Sequence, residues 1–316
     1  MNKIIIPCLS FWLLIIMGIG AQEAGADTLR SLQKTATIKV MTFNVRVDTF
    51  LNGSNGWKGR GPMVCDVFTK NMADVIGIQE ALENQVEDIQ RSVPQYSNYM
   101  AGRSDGKKKG ESCAIFYLKD RLTLDDYGTF WFSDIPEKPG SKGWGNLWPR
   151  ICSWAHFVDN ASGVGFYVYN VHLDVLSQNS RQKSVELLAR RIGLRKWADP
   201  FIVMGDFNME IDNPAMVYLE NVGNQNSYPR MADAWLSSSH DQDGEATCHG
   251  FTGKKFGPKI DHIPLSDNAT ALDMKIDRYN VNGRYPSDHF PVIATILLNG
   301  SPQMTVPVVL ESKSAR

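Results

Sequence analysis

Cysteine is scarce in this chain, with five in 316 residues, and none forms the close pairs that hold zinc, which excludes a zinc-finger or zinc-ribbon architecture. Cys8 lies inside an apolar N-terminal run, a poor position for lipid attachment, which leaves Cys65, Cys113, Cys152 and Cys248. Cys113 and Cys152 both fall in strand-like runs. A cross-strand bridge and a pair of buried small apolar side chains are the two alternatives there. An excess of either charge is also missing, with 33 Lys and Arg against 34 Asp and Glu. A protein that grips long duplex DNA usually shows a basic face, so this balance weakens that class. The one dense basic run, Lys107-Lys108-Lys109 between Gly106 and Gly110, reads as a solvated loop, with phosphate steering as the alternative. No stretch beyond Ala21 is apolar enough to cross a bilayer.

What is present begins with an address. Met1-Asn2-Lys3 precede an apolar run from Ile4 to Met17, broken only by Pro7 and Ser10, and Gly18-Ile19-Gly20-Ala21 follow. This is the pattern of a secretory signal peptide over residues 1–21, cut after Ala21 or alternatively after Ala26. A retained membrane anchor is the competing reading, and the run is short for a span. Cleavage removes Lys3, leaving 32 basic against 34 acidic residues and a net charge of −2. The expected organisation is a leader over 22–36, one domain over 37–299 and a loose tail over 300–316, in a secreted or periplasmic protein.

Within the domain, short apolar or alternating runs end repeatedly on polar side chains. Phe201-Ile202-Val203-Met204 follows the breaker Pro200 and stops at Gly205-Asp206-Phe207-Asn208, as a strand covered on both faces would. Such strands carry functional groups at their C-terminal ends, although an Asp and an Asn after a glycine often make only a turn. Ile38 to Asn44 and Asp74 to Glu80 repeat the pattern, the latter leading into a polar helix. Gly165 to Asp174 forms the expected hairpin partner of Ile151 to Val158 and carries His172. Ser112 to Tyr117, Tyr127 to Phe132, Leu272 to Val281 and Val292 to Leu298 read as further strands, and Asp261 sits in a short one. Helices are expected from Pro62, over Ser180 to Ala198 and after Asn213-Pro214. Gly53 to Gly61 and the Pro-, Gly- and Trp-rich segment Asp134 to Trp148 read as loops, with Trp144 and Trp148 in local packing or shaping substrate choice.

Any one of these polar strand ends has a structural explanation: a turn, a helix N-terminal charge or a satisfied histidine. Together, Thr42-Phe43-Asn44, Gln79-Glu80, His172-Leu173-Asp174, Gly205-Asp206-Phe207-Asn208, Ile260-Asp261-His262-Ile263 and Ser287-Asp288-His289 are similar, in order and spacing, to the motifs of the endonuclease/exonuclease/phosphatase superfamily. The resemblance spans residues 37 to 298, and Gly128 to Trp154 further resembles secreted bacterial members. It implies an α/β (α+β) four-layer sandwich, two packed mixed β-sheets flanked by helices. It also implies a hydrolase that attacks a phosphodiester or phosphomonoester with water, assisted by Mg²⁺ or by Mn²⁺ in its place.

By the same resemblance Glu80 is the main metal ligand, helped by Asn44 and Asp288. Asp206 orients the water, Asn208 and His172 contact the phosphate, and Asp261 fixes His289 as an imidazolium. His172 can also serve the leaving group, and Arg150 adds either a positive contact or a structural salt bridge. The implied partners are phosphate esters, namely a nucleic acid, nucleotide, inositol phosphate or phospholipid headgroup, met by a monomer. The alternative is a catalytically inactive secreted binding protein on the same fold. Such a protein is expected to lack Glu80, Asp206 or His289, and all three are present.

Overall fold

The computed structural model describes residues 34–225, 228–239 and 244–300. The expected signal peptide, most of the leader and all but Gly300 of the tail lie outside the described residues.

Two mixed sheets pack face to face. The first, in the order β12-β13-β1-β2-β4-β3, is built from β1 (Thr35–Asn44), β2 (Val75–Gln79), β3 (Tyr96–Tyr99), β4 (Ile115–Leu118), β12 (Ala269–Ile276) and β13 (Val292–Asn299). The second, β5-β6-β7-β8-β11-β9, contains β5 (Leu122–Trp131), β6 (Ile151–Asp159), β7 (Gly165–His172), β8 (Phe201–Asp206), β9 (Ala232–Asp233) and β11 (Pro264–Leu265), with β10 (Asp261–His262) also paired to β8. Helices α1 (Trp57–Asn71) and α2 (Glu83–Ser92) cover the outer face of the first sheet, and α3 (Gln178–Gly193) and α4 (Pro214–Gln225) that of the second. The expected four-layer sandwich is therefore what the chain forms.

Period-two alternation explains the layers. Ile38 and Val40 of β1, Phe166 and Val168 of β7, Ile202 and Met204 of β8, and Val292, Ala294 and Ile296 of β13 point between the sheets and form one core. Their neighbours point outward: Met41 and Phe43 meet Val64 and Phe68 of α1, while Phe201 and Val203 meet Val185, Leu188 and Ile192 of α3. Both faces of β8 are thus covered, as its unbroken apolar run requires. Burying each such aliphatic side chain stabilises the fold by roughly 1.5–3 kcal/mol.

Three local expectations are revised. Strand β1 begins at Thr35, two residues ahead of the expected Thr37. The helix expected to open at Pro62 begins at Trp57 and holds Pro62 inside it, so Trp57–Gly61 of the expected Gly53–Gly61 loop are α-helical and Gly53–Asn55 end a short 3-10 segment, Phe50–Asn55. Gly61 accounts for this, because a Cβ there would lie 3.1 Å from the Trp57 ring. The strand expected over Leu272 to Val281 instead spans Ala269–Ile276, paired to β13 with a bulge between Ala271 and Asp273. Cys113 and Cys152 are buried free thiols rather than a bridge.

A buried polar cluster anchors the far end of β10. Asp233 Oδ2 lies 2.5 Å from His262 Nδ1, its Oδ1 accepts the Trp235 N–H at 2.8 Å, and Lys259 Nζ is 3.2 Å from the same His262 nitrogen. Burial works against the Asp233 charge, but Lys259, His262 and the Trp235 amide outweigh it and hold the carboxyl well below the ordinary carboxylate range. A depressed folded-state pKa adds stability above the unfolded value and loses it as pH falls, so this contribution should fade below about pH 4. Asp233→Asn is expected to cost about 3 kcal/mol at pH 7 and to flatten that acid loss. Urea unfolding at pH 7 and pH 3 measures both effects.

Candidate active site

Strand register assembles the polar residues before any side chain is considered. His172 pairs with Asp206 across the parallel β7–β8 ladder, and Asp261 pairs with Asp206 across the antiparallel β8–β10 ladder. The inward face that carries Ile202 and Met204 therefore ends in a row of His172, Asp206 and Asp261. In the first sheet, Asn44 ends the inward face of β1 and pairs with Gln79.

Glu80 breaks the alternation. One residue beyond Gln79 it would point outward with Ile78, but its φ of 65° turns the chain and brings the carboxylate back among the inward groups. Arg46 (φ 57°) and Asn208 (φ 52°) are also left-handed, so three non-glycine residues in a sparsely populated conformation lie at this one edge. Gly205, with φ 152°, has no alternative, because a Cβ there would come within 2.0 Å of the Val171 carbonyl oxygen. Below the edge, Asn170 donates to the carbonyls of Ile78 (3.0 Å) and Ala114 (2.9 Å) and accepts from Gln79 Nε2 (2.7 Å), joining the two sheets. Gly77 leaves the space for it, since a Cβ would lie 2.9 Å from the Asn170 carboxamide.

The side chains converge on Asp206. Asn44 Nδ2 donates to Asp206 Oδ2 (2.9 Å) and to Glu80 Oε1 (3.0 Å), while its Oδ1 accepts the Arg46 N–H (3.0 Å). Asn44, a metal ligand by resemblance, thus spends its amide on holding the two carboxylates. His172 Nε2 lies 3.7 Å and His289 Nε2 3.9 Å from Asp206 Oδ2. His289 Nδ1 is 2.8 Å from Asp261 Oδ2, the pairing anticipated from the sequence.

Asn208 donates its amide to the Leu173 carbonyl at 3.0 Å, and its N–H caps Asp206 Oδ1 at 2.9 Å. His172 Nε2 receives Arg150 Nη1 at 3.0 Å, and Arg150 Nε reaches Asp174 Oδ2 at 3.3 Å. Arg150 is therefore both a buried salt-bridge partner and a positive neighbour of the site. Asp288 stands at the rim, where Ser287 Oγ donates to the Asn44 carbonyl (2.6 Å) and lies 3.2 Å from Asp288 Oδ1.

Burial and charge set distinct protonation states. Burial and the nearby Asp261 carboxylate push Asp206 up to about 7, against the pull of His289 and the Asn44 and Asn208 donors. Burial opposes the charge on His289, but Asp261 and its hydrogen bond outweigh that and raise the imidazole well above its ordinary value. His172 goes the other way, lowered well below it by burial and by Arg150 and Arg103. One imidazolium and one neutral imidazole therefore flank Asp206. Burial likewise opposes Glu80, yet the Asn44 and Val47 donors and Arg46 leave its carboxyl below the usual range.

Asp206, Asp261 and His289 place one ligand atom each within 4.8 Å of one another and form a group that can hold a metal ion. The protonated His289 ring, however, has no free lone pair to offer. Glu80 and Asp288 fit a hard cation better: Arg46 Nη1 lies between them, 3.7 Å from Glu80 Oε2 and 3.5 Å from Asp288 Oδ2, so the space between the carboxylates already draws positive charge.

Several residues here escape a sequence reading. The buried Arg60 guanidinium donates to the carbonyls of Val45, Arg46, Asn55 (2.9 Å) and Pro286 (3.2 Å), fixing the loop after β1 to the loop that carries Asp288. Nothing marks it in a glycine-rich stretch. Asp174 is legible in hindsight as the acidic residue of the His-Leu-Asp block. Lys107 to Lys109 lie on an exposed loop whose Asp105 accepts two of their backbone amides, and Lys108 pairs with Glu83. Trp144 donates to Asp134 Oδ1 (2.9 Å) in local packing, and Trp148 is exposed.

Two face-to-face sheets with acidic, amide and imidazole groups at one edge define the phosphoesterase class of α/β sandwiches. The chain belongs to the Endonuclease/Exonuclease/phosphatase family, whose sequence profile matches residues 41–289. It is similar to the structure of a family member from Bacteroides vulgatus, with 31% identity, a TM-score of 0.78, and 84% of this chain and 100% of that one covered. It is also similar to a mannosyl-6-phosphatase from Bacteroides thetaiotaomicron, with 30% identity, a TM-score of 0.76, and 82% and 99% covered. An uncharacterised protein of Acanthamoeba polyphaga mimivirus is 26% identical over 278 residues, or 81% of this chain and 98% of that one.

Proposed function

We propose that the protein is an exported, divalent-metal-dependent hydrolase that cleaves a phosphate ester by attack of water. The observation that carries this reading is the convergence on Asp206 Oδ2 of Asn44 at 2.9 Å, His172 at 3.7 Å and His289 at 3.9 Å, beside the charged Glu80. Glu80, with Asp288 and Asn44 beside it, would hold Mg²⁺ or Mn²⁺, whose charge would there neutralise and polarise the phosphoryl group.

The remaining work falls to the chain. Asp206, with a pKa near 7, orients the water and takes its proton close to neutral pH. The His289 imidazolium, held in orientation by Asp261, donates to a phosphoryl oxygen whose negative charge grows during attack. Asn208, locked to Leu173 and Asp206, keeps a second amide hydrogen for the phosphate. His172 receives Arg150 on Nε2, so its role is to present that guanidinium to the phosphate and to exclude bulk water from Asp206. Export is supported by the apolar N-terminal run and the small residues that follow it. The near-neutral charge and the mannosyl-6-phosphatase likeness favour a small soluble ester over long DNA.

The test is a panel of sugar phosphates, nucleotides, a short oligonucleotide and an aryl phosphodiester, run with Mg²⁺, with Mn²⁺ and with EDTA. Release of phosphate or nucleotide from at least one member is expected, falling at least about 100-fold in EDTA. Equal rates with EDTA and with Mg²⁺ would remove the metal from the reading.

A further inference from the structure

Asp261 and His289 form one hydrogen-bonded pair but come from different leaves. Asp261 lies in β10, which pairs with β8 of the second sheet, and His289 lies in the loop that enters β13 of the first. Among the described residues no strand ladder joins β10 to that loop, so the 2.8 Å bond between the two side chains depends on what lies between their backbones.

Residues 247–250 lie there and bond to both sides. Toward β10, the Thr247 N–H donates to the Pro258 carbonyl (3.1 Å), and the Thr247 hydroxyl oxygen accepts the N–H groups of Ile260 (3.0 Å) and Asp261 (3.2 Å). Toward His289, the Thr247 carbonyl accepts the Phe290 N–H (2.7 Å), and Cys248 forms a backbone bridge with His289. The amides of His249 and Gly250 both donate to the Asp288 carbonyl, at 2.8 and 3.1 Å. The His249 ring stacks on Phe290 with centroids 3.8 Å apart, which seats this strap against the loop.

The hydroxyl of Thr247 has a task that the strap backbone leaves undone. Strand β10 is only two residues long, and the neighbouring Ile260 carbonyl accepts the Phe207 N–H at 2.9 Å, so β8 fixes one side of this segment. The Ile260 and Asp261 amides go instead to one side-chain oxygen. Thr247 and Asp261 are both fully buried, so bulk water cannot take its place, and a buried amide without an acceptor is costly.

We infer that Thr247 is the positioning residue of the Asp261–His289 pair. Its hydroxyl fixes the backbone of Asp261 and its carbonyl fixes the backbone next to His289, so one residue sets the distance over which the carboxylate aims the ring at Asp206. The inference rests on the phosphoesterase reading and adds a residue that serves it without touching the ester. Small misplacements of a reacting group lower rates steeply, so the effect should fall on turnover rather than on substrate binding.

The test compares wild type, Thr247→Val and Thr247→Ser with Mg²⁺, on whichever ester the protein cleaves. Valine removes the acceptor at similar volume, and kcat should fall about 30- to 100-fold with KM changed less than about 3-fold. Serine keeps the hydroxyl and should stay within about 3-fold of wild type in both. Normal kcat in Thr247→Val, or an equal fall in Thr247→Ser, overturns the inference. Urea unfolding establishes that each variant is folded under assay conditions. If Thr247→Val is not, Thr247→Cys, whose sulfur accepts only weakly, replaces it with the same expected direction.

Proton NMR of protein labelled with ¹⁵N-histidine, at fixed pH, gives a readout that needs no turnover. The low-field Nδ1 proton of His289, assigned by its absence in His289→Gln, should keep its position in Thr247→Ser. In Thr247→Val it should shift or vanish through exchange with solvent. An unchanged resonance in folded Thr247→Val overturns the inference and marks any fall in kcat as a general structural loss. A displaced resonance in a protein that cleaves no ester would uphold the positioning role and overturn the hydrolase reading instead.

Discussion

Replacing His289 with alanine is expected to lower kcat/KM about 10³- to 10⁴-fold on any ester the protein accepts, the range for losing a group that acts on the charge of the transition state. The ring is oriented by Asp261 at 2.8 Å and presents Nε2 toward Asp206 at 3.9 Å, so its charge is aimed at the reacting centre. The same variant carries a folding cost. Asp261 is fully buried, its Oδ2 pairs with His289 and its Oδ1 has no partner among the described residues, so removing the ring strands a carboxylate away from water.

Adding Asp261→Asn to His289→Ala should restore most of the lost stability and none of the turnover. Denaturant unfolding of the two single variants and the double variant, beside steady-state rates, separates the two effects. Near-normal activity of His289→Ala would remove the imidazolium from the chemistry.

The second large effect is expected from Asp206→Asn, about 10³-fold or more in kcat, because an amide cannot take a proton from water. It cannot replace the hydrogen bonds either: Asp206 accepts from Asn44 on one oxygen and from the Asn208 N–H on the other, and an amide nitrogen would face a donor. The wild-type pH profile carries the signature of this group. Asp206 acts as the carboxylate, and its folded-state pKa is raised to about 7. Below that value it gains a proton, so kcat/KM should fall about tenfold per unit as pH drops, and level off above it. Positive charge bound at Glu80 favours the carboxylate, so raising Mg²⁺ should move this limb to lower pH. A profile flat from pH 5 to pH 8 at low Mg²⁺ would exclude Asp206 as the base.

The legible parts of the site are those that follow from strand period and strand ends. Asp206, His172, Asp261 and Asn44 all sit where an inward-facing apolar series turns polar, and the ladders bring them together without special geometry. Glu80 was legible as a strand-end carboxylate, but its direction was not, since alternation sends it outward and only the left-handed turn returns it. Pro62 misled because its helix-starting preference is weaker than the packing of Trp57, whose indole donates to Asp88 at 2.8 Å and anchors α1 to α2. Arg60 could not be read from its neighbours. Its role depends on which loops close over it, and loop closure is set by contacts distant in sequence, such as Arg60 with Pro286.

The Asn170 junction described beneath the site has a bearing on how the protein can change. Glu80, Asn44 and Asp288 belong to one sheet or its loops, and Asp206, His172 and Asp261 to the other. The distances from Asn44 and His289 to Asp206 are therefore gaps between two leaves. Beneath the site that gap is spanned by the Asn170 carboxamide, seated against Gly77 and tied to Ile78, Gln79 and Ala114. Substitutions that thicken or thin the layer between the leaves act on reactivity through this spacer even when they are remote from the phosphate. Interchanging leaves between relatives should then succeed only when the spacer and its glycine travel together.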